Sequence, residues 1–115
     1  MTREEFAELH NEFVARETDL LGLKAKEYSD GDDRLWNFRV QAALEGRRPS
    51  EIALSHLNKH ITSICLAVRT DRGEWVWRTA EGHEGLKQRF ADARNYLLLL
   101  AACLEEERGG EGNRS

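Results

Sequence analysis

Proline is almost missing from this chain: Pro49 is the single one among 115 residues. Cysteine is scarce too, with only Cys65 and Cys103. Two thiols cannot build a disulfide framework. Both fall on apolar faces of helical patterns, where a reduced thiol packs as a small hydrophobe. No apolar run is long; the longest, Tyr96 to Leu104, is too short to span a bilayer. Met1 is followed at once by Thr-Arg-Glu-Glu, with none of the apolar core of a secretory leader. A cytoplasmic protein with no membrane contact is therefore expected. Positive charge is not in excess. The net charge of −4 argues against extended nucleic acid held on a basic surface, while leaving room for one nucleotide held with a cation.

What is present is helix-forming sequence for one domain, 40% hydrophobic and 33% charged. A chain of this length buries only a modest share of its surface, so oligomerisation would help it. Thr2-Arg-Glu-Glu5 has the form of a capping box. Phe6, Leu9, Phe13, Leu20 and Leu23 then repeat at mostly helical spacing to about Glu27. Gly22, worth about 1 kcal/mol less than alanine in a helix interior, is a place for a bend. Residues 29–33 form a turn by composition. Leu35, Phe38 and Ala42 share one face of a short helix that Gly46 ends. Pro49 sits at or near the first position of the next helix, whose apolar face is Leu54, Leu57, Ile61, Ile64 and Val68. Residues 70–73 break it. Residues 74–79, around Trp75, Val76 and Trp77, read as an ordered loop or a short hairpin.

The last helix, from Glu84 to about Glu107, carries two stripes. Leu86, Phe90, Ala93, Leu97, Leu100 and Leu104 make an apolar one. Glu84, Gln88, Asp92 and Asn95 or Tyr96 make a polar one beside it. A ladder ending in an amide and an aromatic suits a helix that lines a site better than one that faces solvent. The expected architecture is all-α: one domain over 1–108, a bundle of three long helices and one short one, with a disordered polar tail at 109–115. Stripes on the first, third and last helices would supply the core.

Four constellations can carry chemistry. The acidic turn Glu27, Asp30, Asp32 and Asp33 offers oxygen ligands of the kind Mg²⁺ takes, although a solvated turn has the same composition. In the ladder, Asp92 lies among Phe90, Ala91 and Ala93, so its carboxylate should be partly desolvated and hence paired or metal-bound. In the third helix His56 and His60, one turn apart, have zinc-ligand spacing but no evident third ligand. Lys59 beside them can meet a phosphate as a point charge on a long stem. Trp36, Trp75 and Trp77 can stack on a base or pack in a core, and the Asn37 amide can read a base edge.

Taken in order, Lys24-Ala-Lys-Glu27-Tyr28, Asn37-Phe38, Lys59-His60-Ile-Thr-Ser63-Ile64 and Asp92-Ala-Arg-Asn95-Tyr96-Leu-Leu-Leu-Leu resemble the small phage and prophage proteins of the nucleotide-modification-associated type. These are similar in turn to the all-α MazG-like nucleoside triphosphate pyrophosphohydrolases. The resemblance covers about Leu23 to Leu104. It implies a homodimer or homotetramer that binds Mg²⁺ through helix carboxylates and hydrolyses a nucleoside triphosphate to monophosphate and pyrophosphate. Carried over by residue, it gives Glu27, Glu84 and Asp92 as catalytic metal ligands. Tyr28, Asn37, Lys59 and Asn95 become substrate-binding groups. Two departures stand out. Gln88 occupies a position where the family pattern usually has a carboxylate, and no Glu-x-x-Glu pair stands near the expected place in the first helix. Gln88 favours a second reading, a nucleotide-binding protein without turnover; a third is a helical interaction protein whose polar stripes are solvated or interfacial.

Overall fold

Each helix starts and stops where its orphaned backbone groups find partners. In the computed structural model, residues 1–28, 33–70, 77 and 85–109 are described, the side chains of 21, 23–28 and 70 excepted. They form α1 (Arg3–Tyr28), α2 (Trp36–Glu45), α3 (Pro49–Thr70) and α4 (Leu86–Gly109). This is the expected all-α architecture of three long helices and a shorter one.

At the head of α1 the capping box is formed in both directions. The Thr2 hydroxyl accepts the Glu5 N–H at 3.0 Å, and the Glu5 carboxylate accepts the Thr2 N–H at 3.4 Å. The helix runs through Gly22 without a break. Asp33 opens α2 by accepting the Leu35 N–H at 3.0 Å. Gly46 closes that helix at φ 65° and ψ 35°, the left-handed conformation glycine adopts most readily. The Arg47 N–H then returns to the Ala42 carbonyl at 2.9 Å, completing a Schellman turn.

The start of α3 is capped from two directions. Arg48 stands at the N-cap and has no side-chain acceptor to offer. Glu51 reaches back to the Arg48 N–H at 2.9 Å, which is half of a capping box. The other half comes from the far end of the chain. The Glu107 carboxylate accepts the Ser50 N–H at 3.0 Å and the Ser50 hydroxyl at 2.7 Å. A carboxylate at a helix N-terminus also meets the positive end of the helix dipole. This tie fixes α3 and α4 as antiparallel neighbours, and theirs is the most extensive helix–helix contact.

One core cluster joins α2, α3 and α4: Leu35, Phe38, Ala42, Ile52, Ala53 and Cys103, flanked by Tyr96, Leu99, Leu100 and Ala102. Burial pushes the Cys103 thiol up to about 11, with the Glu107 and Glu106 carboxylates adding to the shift. Arg39 ties α2 to the end of α4. Its guanidinium holds Asp33 at 2.8 and 3.0 Å and also pairs with Glu106. The hydrogen bond from Arg39 is the main reason that both carboxyls lie below their ordinary values of 3.8 and 4.5. A lowered folded value means stability that is complete above the ordinary range and is lost as pH falls through the lowered values. Arg39→Gln is therefore expected to cost about 1 kcal/mol or less at pH 7, because all three side chains are at least a third exposed. In urea titrations the gap between wild type and variant should close towards pH 2.

Two apolar faces read from the sequence are buried only in part. On α3 the buried or half-buried line is Ala53, Leu57, His60 and Ile64, while Leu54, Ile61 and Val68 are exposed. The helix is rotated about one residue from the expected face, because α4 presents it with a polar and aromatic surface. On α4, Leu86 and Ala93 are buried and Phe90 and Leu100 half-buried, but Leu97 and Leu104 are exposed. Ion pairs and hydrogen bonds from α1 meet α4 at 87–94. Phe6 of α1 is exposed as well. Among the described residues no helix is long and apolar enough to cross a membrane. The polar tail from 110 onward, and all of the 71–84 connection except Trp77, lie outside the described residues.

Candidate functional site

The polar ladder of α4 faces inward. Gln88 is its first described rung, and it is held from α1: the Arg16 guanidinium donates to its carbonyl oxygen at 2.7 Å. The Gln88 amide in turn donates to Asp92 Oδ1 at 3.1 Å. The other Asp92 oxygen lies 3.9 Å from His60 Nδ1 on α3, and both side chains are under a fifth exposed. Among the described residues Asp92 has no lysine or arginine partner. Its neighbours are an amide and an imidazole.

Beyond Asp92 the lane becomes aromatic. Tyr96 stacks with His60 at 5.3 Å and 19°, and with His56 at 5.4 Å and 15° between centroids and planes. Phe38 from α2 closes the cluster, 6.1 Å from His56 and 6.4 Å from Tyr96. The i, i+4 histidines are thus ring-stacking partners of one tyrosine. Ring pairs at these separations are worth about 0.5–1.5 kcal/mol beyond burial alone.

Asn95 is three residues on from Asp92 and seven from Gln88, which keeps it on the same side of α4. It is 0% exposed, and among the described residues neither its Oδ1 nor its Nδ2 has a hydrogen-bond partner. A carboxamide carries two donor hydrogens and an accepting oxygen. Leaving such a group buried and unmet costs about 1–3 kcal/mol. In a helix with alanines at 91 and 93, an apolar residue at 95 would have been the cheaper choice.

The neighbouring face of α4 is clamped to α1. Lys87, 4% exposed, pairs with Glu12 and lies 5.9 Å from the Phe13 ring and 5.8 Å from the Trp77 ring. Burial pushes its ammonium below the usual lysine range, and the Glu12 carboxylate beside it favours the charge. Arg94 meets Glu17 at 3.4 Å and lies over Phe13 at 5.8 Å. Trp77, which packs on Phe90 at 5.9 Å, also accepts the Lys87 N–H on its carbonyl at 3.0 Å. Its described role is therefore packing at the start of α4.

Of the residues expected to form a site, Asp92 and Asn95 lie together in this lane. Asn37 is half-buried on α2, next to the Phe38 that touches the ring cluster. Lys59 is exposed, and its neighbour His60 takes the place beside Asp92. Glu84, Asp30 and Asp32 lie outside the described residues, as do the side chains of Glu27 and Tyr28. Asp33, the described member of the acidic turn, is engaged by Leu35 and Arg39. Among the described residues no three histidine, cysteine or acidic side chains come together as a metal would require. They do not by themselves make a magnesium site.

Arg16 is the residue that pattern reading passed over. It continues the spacing of Leu9 and Phe13 toward Leu20, so it is a cation standing on an apolar stripe. That interruption was its signal. Comparison of the chain with family profiles, curated proteins and solved structures gives no match.

Proposed function

We propose that this chain is a nucleotide-binding protein of the MazG-like, phage type, and that a nucleoside triphosphate binds along the inward polar lane of α4. The observation that carries this reading is Asn95, buried with its donor and acceptor both unmet among the described residues. A base edge offers the donor and acceptor that such an amide lacks, and pairing is strongest where water is excluded. The Tyr96, His56 and Phe38 rings supply stacking surface nearby, and Arg16 supplies positive charge at the other end of the lane. Asn37 and Tyr28 add base contacts, and Lys59 meets phosphate at the rim. The protein works in the cytoplasm as a homodimer or homotetramer.

Hydrolysis to monophosphate and pyrophosphate is the second reading. It is favoured by the Asp92 carboxylate, little exposed and without a fixed cation among the described residues. Glu27 and Glu84 would join Asp92 in holding Mg²⁺, which supplies Lewis-acid chemistry when bound.

Calorimetry with the ribo- and deoxyribonucleoside triphosphates in Mg²⁺, alongside a pyrophosphate assay, separates the two. Heat with at least one nucleotide is expected, and a folded protein silent to all of them ends both readings. Where pyrophosphate is released, Asp92→Asn should slow it about 100-fold or more while changing Kd less than tenfold. Binding without release leaves the first reading alone.

A further inference from the structure

The face of α3 that points away from the core carries an apolar stripe of its own. Leu54, Ile61, Cys65 and Val68 follow one another at steps of seven, four and three residues, and all four are exposed. A shallow surface groove of about 490 Å³ runs beside it, between Ile61, Cys65 and Arg69. We infer that a second copy of this chain covers this stripe, with the two α3 helices antiparallel across a twofold axis at Ile61. The inference names the face used in the self-association given above, and it does not depend on nucleotide binding.

The sequence of the stripe selects its occupant. In an antiparallel pair centred on Ile61, residue n lies opposite residue 122 − n of the partner copy. Leu54 then faces the partner's Val68 and Ile61 faces itself, so these three exposed apolar groups meet exposed apolar groups, while Cys65 falls between the partner's Leu57 and Asn58. The rim obeys the same symmetry. Glu51 and Arg69 are 18 residues apart, which is five turns, so they flank the stripe on one side at its two ends. Reversal brings Glu51 within a turn of the partner's Arg69, and the twofold makes that pair twice. Between them the rim residues Ser55, Asn58 and Thr62 are uncharged. Arg69 has no ion pair among the described residues; Glu51 is paired with Arg48 at 3.4 Å through Oε1, but its side chain is 40% exposed and can meet a second cation. A parallel twofold pair would place the two rims on opposite flanks, with Glu51 and Arg69 at opposite ends, so this pair would not form. A closed, self-complementary contact of this kind is the isologous form that twofold dimers take.

The test needs no nucleotide. Sedimentation equilibrium at micromolar concentration should give twice the 13.2 kDa chain mass. Ile61→Cys in a Cys65→Ser background should form a covalent dimer under mild oxidation, while Leu44→Cys in the same background, on exposed α2 surface, should not. Arg69→Glu should weaken the dimer about tenfold, and Arg69→Glu with Glu51→Arg should restore it. Retained helical circular dichroism keeps each variant interpretable. A monomeric wild type overturns the inference. So does a dimer in which Ile61→Cys fails to cross-link, or in which the double reversal stays as weak as the single one.

Discussion

Asn95→Leu is expected to make the protein more stable, by about 1–3 kcal/mol in urea or by several degrees in Tm. The direction is unusual, since most substitutions at fully buried positions destabilise. It follows from the state of the amide: 0% exposed, with both polar atoms unmet among the described residues. Leucine keeps the branching of asparagine and presents methyl groups where the oxygen and nitrogen stood. The cost of burying the unmet amide disappears with them. Two methyl groups are bulkier than an amide, so overpacking takes back part of the gain. Asn95→Ala controls for this. It also removes the amide but leaves a small void, and should fall between wild type and Asn95→Leu. Destabilisation by both variants would mean that the amide supports the fold.

Ile52→Ala should do the opposite, costing about 2–4 kcal/mol. Ile52 is 1% exposed, one of the largest fully buried side chains, in the cluster that joins α2, α3 and α4. A chain of this length holds roughly 6–17 kcal/mol in all at typical values per residue. This one truncation therefore removes a large share. Leu44→Ala is the matched control. Leu44 lies on α2 and is 83% exposed, so its loss should stay within about 0.5 kcal/mol. Equal effects at the two positions would contradict the location of the core.

The local signals in the sequence translate directly into structure. The Thr2–Glu5 box, Gly46 as a helix stop and Pro49 at the first position of α3 depend on neighbours within a few residues, and all appear as read. So does the Leu35, Phe38 and Ala42 face, because a short helix with three apolar residues has one way to bury them. The long helices were less legible. Along α3 the more apolar set, Leu54, Ile61 and Val68, is exposed. The set containing His56 and His60 faces the core, because Tyr96 and Asp92 on α4 are what it meets. A single helix pattern cannot report the polarity of its partner. The same limit hid Arg16 and the cap that Glu107 lends to α3 from 57 residues away. For the candidate site, spacing identified the inward ladder of Gln88, Asp92 and Asn95 as a polar stripe of α4. It did not reveal that Asn95 is buried without a partner, since that depends on what α1 and α3 place around it.

The central claim is that this buried amide is kept for a ligand. Calorimetry of wild type and Asn95→Leu with the same nucleoside triphosphate tests it most directly. The account predicts binding by wild type and at least a tenfold weaker Kd for the variant, in a protein whose fold is no less stable. Binding by Asn95→Leu that equals wild type, with the variant fully folded, would contradict it.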